Sequence, residues 1–198
     1  NETASESPAP GGGSVSACMG AFGVALGTMV ANLSAHKKGW DERWEEFSDW
    51  AEKGKHYSER LLTLVDEDTQ AFNGIMTAFG LPKNTDEEKA KRTEAIQSAT
   101  KNAMEIPFQV MQTSYQSMEV MLAMVQTGNP NSVTDAGVGA LSARSAVLGA
   151  ALNVRVNAAG LHDKEYVDKM LREVNELVEK TIEKENVILQ VVNEKIGK

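Results

Sequence analysis

The chain has 198 residues, 41% of them apolar and 24% charged, with a formal net charge of −8. That is enough chain to bury one sizeable core, so residues 1–198 are read as a single helical domain. The acidic excess argues against non-specific nucleic-acid binding, and no zinc-finger spacing, RNA-binding aromatic signature or basic helix supports it. The lone Cys18 cannot form an intramolecular disulfide, and no cationic stretch followed by an apolar run and cleavage site opens the chain. A reducing, cytoplasmic setting is therefore expected, with a small molecule or a second copy as partner.

Residues 1–10 form a polar N-terminal tail, expected to be truncated because the chain starts at Asn1 rather than Met. PAPGGGS, residues 8–14, breaks regular structure. Val15 to Ala35 follows without a single charge and is about long enough to cross a bilayer. It is richer in Gly, Ala, Ser and Thr than in Leu, Ile and Phe, and no second span is read beside it, so a buried helix is expected and no membrane partner. Its stripe Ser16, Gly20, Gly23, Gly27, Ala31 allows close approach of another backbone. A second helix is predicted from Asp41 to Phe79, with Gly54 as a possible kink and Gly80–Pro82 as its stop. Thr85 and Glu88 form a capping-box signature opening a third helix towards Glu105. Pro107 either kinks that helix or occupies the first turn of a fourth, which ends at Gly128–Pro130. The next helix runs from near Ser132 to Gly160 with a matching stripe, Gly139, Ala143, Ala146, Ala150. The two stripes would meet inside the bundle or across a two-fold dimer interface. After Asp163 the last helix carries Val167, Met170, Leu171, Val174, Leu177, Val178, Ile182, Leu189, Val192 and Ile196 at coiled-coil-like spacing, a seam for a dimer or for packing within the subunit. Nothing alternates with period two over a convincing length. The expected fold is all-α, a multihelical up-and-down bundle of long helices with no sheet.

One residue stands out against this pattern. Leu61, Val65, Phe72, Met76 and Phe79 recur at helical spacing, and Asp68 falls on the same stripe. A carboxylate on a core-facing stripe is costly unless paired, hydrogen-bonded or protonated, so Asp68 is either a proton-transfer group or a structural acid. Asp66 lies about 200° around the helix and cannot form a facing dyad with it. Gly11, Gly12, Gly13 and Ser14 open a helix whose free N–H groups could receive a carboxylate or carbonyl, or simply make a tight turn. Asn153 and Asn157 continue the second small-residue face and are read as interhelical hydrogen bonders, with ligand contact as the alternative. Ser132 and Asp135 fit a capping box. Met104, Met111, Met118, Met121 and Met124, and the aromatics Trp40, Trp44 and Phe47, are read as packing. His36, His56 and His162 are scattered singly, so no metal site is expected.

PAPGGGSVSA, a Gly/Ala helix ending MVANLSAHKK, then LVDEDTQAF, LPKNTDEEKAKRTEAIQ and GNPNSVTDAGVGA with NVRVN occur in this order. They resemble the cyclodeaminase domain of formimidoyltransferase-cyclodeaminase and, equally, the free-standing methenyltetrahydrofolate cyclohydrolases of the same family, in register from about Ser7 to the last helix. The family usually has one more short helix before PxPGGGS. The resemblance implies an enzyme that lets N10 of 5-formimidoyltetrahydrofolate attack the amidine carbon and expels ammonia, leaving 5,10-methenyltetrahydrofolate. The alternatives are hydrolysis of 5,10-methenyltetrahydrofolate to 10-formyltetrahydrofolate, or a non-catalytic folate-binding or structural helical oligomer. Two proton transfers suffice, and no metal or organic cofactor is demanded. The second acid of the family's Asp-x-Asp motif, Asp68, is implied as the catalytic residue, with Lys38 and Asp135 as secondary candidates. Gly11, Gly12, Gly13, Ser14, Lys37, Asn129, Asn131, Asn153 and Asn157 are the substrate-binding candidates. His36, Lys37 and Lys38 could meet a polyglutamate tail, or form a solvated helix end. A homodimer or higher homo-oligomer is expected. Asp68 should be largely buried, in a pocket shared with the glycine turn and the Asn129–Asp135 loop.

Overall fold

The computed structural model describes residues 2–197. Among these, five α-helices account for nearly all regular structure: α1 (Gly12–Ala35), α2 (Trp44–Phe79), α3 (Asp86–Thr127), α4 (Val133–Ala158) and α5 (Lys164–Ile196), with single 3-10 turns at Glu2–Ala4, Asp41–Arg43 and Pro130–Ser132. No strand occurs among the described residues. α1 packs on α2, α3 and α4; α5 closes the bundle over α3 and α4.

Local chemistry accounts for the boundaries. The Thr85 hydroxyl accepts from the Glu88 N–H at 3.2 Å while the Glu88 carboxylate accepts from the Thr85 N–H at 3.2 Å, the capping box expected there. Ser132, by contrast, makes no side-chain cap bond to α4, so the capping-box reading of Ser132 and Asp135 is not realised. The preceding 3-10 turn is organised by Asn129, whose Oδ1 accepts from the Asn131 N–H at 3.2 Å. Asp163 caps α5 by accepting from the Tyr166 N–H at 3.0 Å.

Pro107 lies inside α3, which continues unbroken for 42 residues, so there is one helix where the sequence left room for two. Proline supplies no N–H to the carbonyl four residues earlier. That carbonyl, of Ala103, instead accepts from Asn157 Nδ2 of α4 at 2.7 Å. The helix survives its proline because a neighbouring helix provides the missing donor.

The two small-residue stripes meet within the subunit. Gly23 and Gly139 face each other so closely that a Cβ on Gly23 would lie 2.7 Å from the Gly139 carbonyl oxygen and 3.1 Å from the Ala143 nitrogen. Both obstacles are backbone and cannot swing aside. Ser142 ties the same crossing by donating to the Met19 carbonyl at 2.7 Å. Gly23→Ala should therefore cost about 1–3 kcal/mol through overpacking, despite alanine's higher helix propensity, and lower Tm by several degrees in a calorimetric scan.

Below α1 the core is filled by Val24, Leu61, Leu64, Met104, Met111, Met118, Met121 and Met124, each at most 1% exposed. Phe47 is buried with Trp40 stacked on it, centroids 5.5 Å apart, whereas Trp44 is exposed. A polar seam registers α2 against α3: the Tyr57 hydroxyl, pushed up to about 12 by burial and by the Glu119 carboxylate, donates to Glu119 at 2.6 Å, and Lys53 pairs with the same carboxylate at 2.9 Å. The α5 seam faces its own subunit, burying Val167, Met170, Val174, Thr181, Ile188 and Val192 together with Glu185, which Arg144 of α4 holds at 3.0 Å.

Two expectations change. Residues 130–158 are, like α1, long and apolar enough to cross a membrane by length and composition, so α1 is not alone in this; each is about half buried within the bundle. The α2 stripe is core only at Leu61. Val65, Asp68 and Phe72 are half-buried, and Met76 and Phe79 are exposed.

Candidate active site

That change of surroundings along α2 makes the site. Beyond Leu61 the stripe is no longer fully buried: Val65 still packs against the core, while Asp68 and Phe72 form one wall of a cleft of about 280 Å³. Asp68, Phe72 and Ile75 line it at helical spacing; Gly11, Gly12 and Gly13 at the start of α1, with Pro8 and Ala9 before them, form a second wall; Asn153, Val156 and Asn157 of α4 and Ala103 of α3 complete it.

Asp68 is half-buried rather than fully enclosed, because its carboxylate opens into the cleft. The buried Ser14 hydroxyl donates to Asp68 Oδ2 at 2.8 Å and lies 3.2 Å from the Thr69 hydroxyl. Gly13 brings the α1 backbone against the other side of the carboxylate; a Cβ there would sit 2.6 Å from Asp68 Cγ and overlap Oδ1. Among the described residues no basic side chain forms a salt bridge with Asp68. The adjacent Glu67 takes the cation instead, pairing with Arg60 at 2.7 Å. Asp68 is thus the single charged side chain among the described lining residues, held by one hydroxyl and one glycine. A carboxylate so placed can take a proton from a bound group and return it. The ion-pair role open to it on sequence grounds finds no partner among the described residues. Asp66 is exposed.

The other candidates separate into two groups. Gly11, Gly12, Gly13, Asn153 and Asn157 gather with Asp68 in the cleft, and Ser14 supports it from behind. Asn157 spends an amide N–H on the carbonyl orphaned by Pro107, and Asn153 Nδ2 donates to the Gly149 carbonyl at 3.0 Å, so both combine the interhelical or helical role with a place in the lining. Lys37, Lys38, Asn129, Asn131 and Asp135 are elsewhere. They stand at the other end of α1, where the Asn129 N–H donates to the Ser34 hydroxyl at 2.8 Å. A 24-residue helix is about 36 Å long, so within one subunit these residues cannot reach Asp68. The pocket expected to join the glycine turn to the Asn129–Asp135 loop is therefore not formed by one chain. Thr69, Ile75 and Val156 went unnoticed in the sequence. Ile75 lies seven residues beyond Asp68 and Val156 three beyond Asn153, so helical spacing from the polar anchors was the signal available. No group of three His, Cys, Asp or Glu side chains converges among the described residues.

The family described as Formiminotransferase-cyclodeaminase matches residues 1–176. The chain is 38% identical to a methenyltetrahydrofolate cyclohydrolase of Methylorubrum extorquens, over 98% of this chain and 93% of that protein. It is 32% identical to the formimidoyltransferase-cyclodeaminase of Rattus norvegicus over 90% of this chain, but spans only 33% of that longer protein. Among solved structures, the formiminotetrahydrofolate cyclodeaminase of Thermotoga maritima superposes with a TM-score of 0.85 at 25% identity, covering 98% of this chain and 93% of that one.

Proposed function

The chain belongs to the formiminotransferase-cyclodeaminase family, and from that premise we propose that this folate one-carbon enzyme hydrolyses 5,10-methenyltetrahydrofolate to 10-formyltetrahydrofolate. The observation that carries the choice is the 38% identity to a cyclohydrolase running through nearly the whole of both chains. The longer relatives share only the matched third of their length.

The cleft supplies what this reaction needs. Water must add to the carbon bridging N5 and N10 of the cationic substrate. The Asp68 carboxylate takes a proton from that water as its oxygen bonds to carbon. The resulting carbinolamine collapses by breaking the carbon–N5 bond; Asp68 returns its proton to N5, and the carbinol proton leaves to solvent as the formyl carbonyl forms on N10. Ser14 fixes the carboxylate between the two transfers through its 2.8 Å bond. Phe72 and Ile75 give the flat ring an apolar wall. A positioned acid/base of this kind contributes about 10²–10⁴-fold to a rate.

A second reading is favoured by the Thermotoga maritima structure. In cyclodeamination the same carboxyl would take the N10 proton and deliver one to the departing ammonia. Supplying each substrate in turn decides between them. Loss of the methenyltetrahydrofolate absorbance is the expected result. Growth of that absorbance with ammonia release from 5-formimidoyltetrahydrofolate, without hydrolysis, would replace the first reading by the second. Turnover of neither would reject both.

A further inference from the structure

We propose that Thr69 is a second catalytic residue of the Asp68 cleft, holding the attacking water so that both of its protons face the protein and a lone pair faces the substrate carbon. This role rests on the hydrolysis reading, because cyclodeamination uses N10, not water, as its nucleophile.

A threonine inside a helix can turn its hydroxyl proton back to the carbonyl four residues earlier. Thr28, Thr63, Thr77, Thr93, Thr127 and Thr181 all do so here, at 2.6–3.0 Å. Thr69, also well inside its helix, makes no such bond among the described residues; its Oγ1 lies 3.2 Å from Ser14 Oγ of α1 instead. Either hydroxyl could donate across that contact, and the number of protons decides which does. Ser14 has one hydroxyl proton, already engaged on Asp68 Oδ2 at 2.8 Å. A charged carboxylate is the stronger acceptor, so the proton stays there. Ser14 Oγ can therefore only accept from Thr69. The chain runs one way, from Thr69 to Ser14 to Asp68, and each bond polarises the next.

That direction fixes what the cleft offers a water molecule. Thr69 is half-buried and lines the cleft beside Asp68. With its proton turned to Ser14, Thr69 Oγ1 presents only lone pairs to the cavity, as the ionised carboxylate does. The angle at a hydroxyl oxygen sets Thr69 Oγ1 about 5 Å from Asp68 Oδ2, a gap that one water spans with a hydrogen bond to each side. A water between two acceptors donates both of its protons to them. Its lone pairs are then left for the methenyl carbon, the orientation that addition requires. Were Thr69 a donor into the cleft, it would occupy one of those lone pairs.

The reaction keeps this arrangement. As the water oxygen bonds to carbon, one proton passes to Asp68, while the other stays on oxygen and keeps its bond to Thr69. The carbinolamine is held by that remaining O–H until its proton leaves to solvent on collapse. Thr69 itself neither gains nor loses a proton.

Thr69→Val keeps the branched shape of the side chain and removes the acceptor. With 5,10-methenyltetrahydrofolate it should lower kcat about 10–100-fold. KM should stay within about twofold, because the lost contact is with water and not with the folate. Thr69→Ser, which keeps the hydroxyl, should recover most of the rate; a loss caused by packing alone would not follow the hydroxyl. A crystal structure of the wild type should show a water within hydrogen-bond distance of both Thr69 Oγ1 and the Asp68 carboxylate. Thr69→Val at full rate, a loss expressed in KM instead of kcat, or Thr69→Ser as slow as Thr69→Val would each overturn the assignment and leave hydrolysis standing. A water that touches Asp68 but not Thr69 would overturn it too, whether or not the valine variant folds. A wild type that releases ammonia from 5-formimidoyltetrahydrofolate without hydrolysing the methenyl compound would reject the hydrolysis reading itself, and the role of Thr69 with it.

Discussion

Asp68→Asn is expected to remain folded and to lose turnover by about 10²–10⁴-fold, with kcat and kcat/KM falling together. The substitution keeps the shape of the side chain and keeps an oxygen that can accept from Ser14 Oγ, now 2.8 Å from Asp68 Oδ2. No salt bridge is broken, because Arg60 is already committed to Glu67. What the amide cannot do is carry a proton between water and N5. Thermal unfolding should therefore shift by no more than the worth of one half-exposed hydrogen bond, about 1 kcal/mol. The opposite pattern, a large loss of stability with turnover retained, would make Asp68 a structural acid. Steady-state kinetics beside a melting curve is sufficient to tell the two apart.

Much of this fold was readable because its signals are local. Thr85 and Glu88 are three residues apart and cap α3 as their spacing requires. The glycine and alanine stripes announced a close helix crossing, and Gly23 against Gly139 is that crossing. Where the outcome depended on another helix, the sequence was ambiguous. Pro107 looked able to divide α3 because nothing in its neighbourhood reveals the Asn157 amide that compensates it, 50 residues away in the chain. The last helix likewise showed an apolar seam without showing what covers it, and Glu185 on that seam is tolerated only because Arg144 stands opposite.

The site shows the same division. Asp68 is a charge on an apolar stripe, but that stripe leaves the core after Val65, so the carboxylate meets a cleft instead of a wall of side chains. The glycine turn and the two asparagines could be grouped with it from residue type and family likeness. Lys37, Lys38 and the Asn129–Asp135 turn were grouped with them too, yet α1 separates the two sets by its whole length. Motifs shared along a chain report common use, not common position.

Gly13→Ala carries the second large effect, and its sign is decided by competition. In a helix interior the change ordinarily stabilises by roughly 0.5–1 kcal/mol. At this position the added methyl would overlap Asp68 Oδ1 and stand 2.6 Å from its Cγ. The obstacle is a side chain rather than backbone, so the carboxylate can rotate away, and the fold should lose little: the propensity gain offsets much of the lost Ser14–Asp68 bond. Activity has no such escape. A carboxylate turned out of its place by an ångström or more no longer reaches the reacting atoms, and a displacement of that size costs about 10²-fold. The expected result is a protein with near-normal Tm and a kcat lowered about 100-fold. Because the whole effect passes through Asp68, adding Gly13→Ala to Asp68→Asn should cost almost nothing more, a non-additivity that a double-mutant cycle reads directly. Additive losses in that cycle would mean that Gly13 acts on the substrate itself, through the backbone at the start of α1, and not through the carboxylate it adjoins.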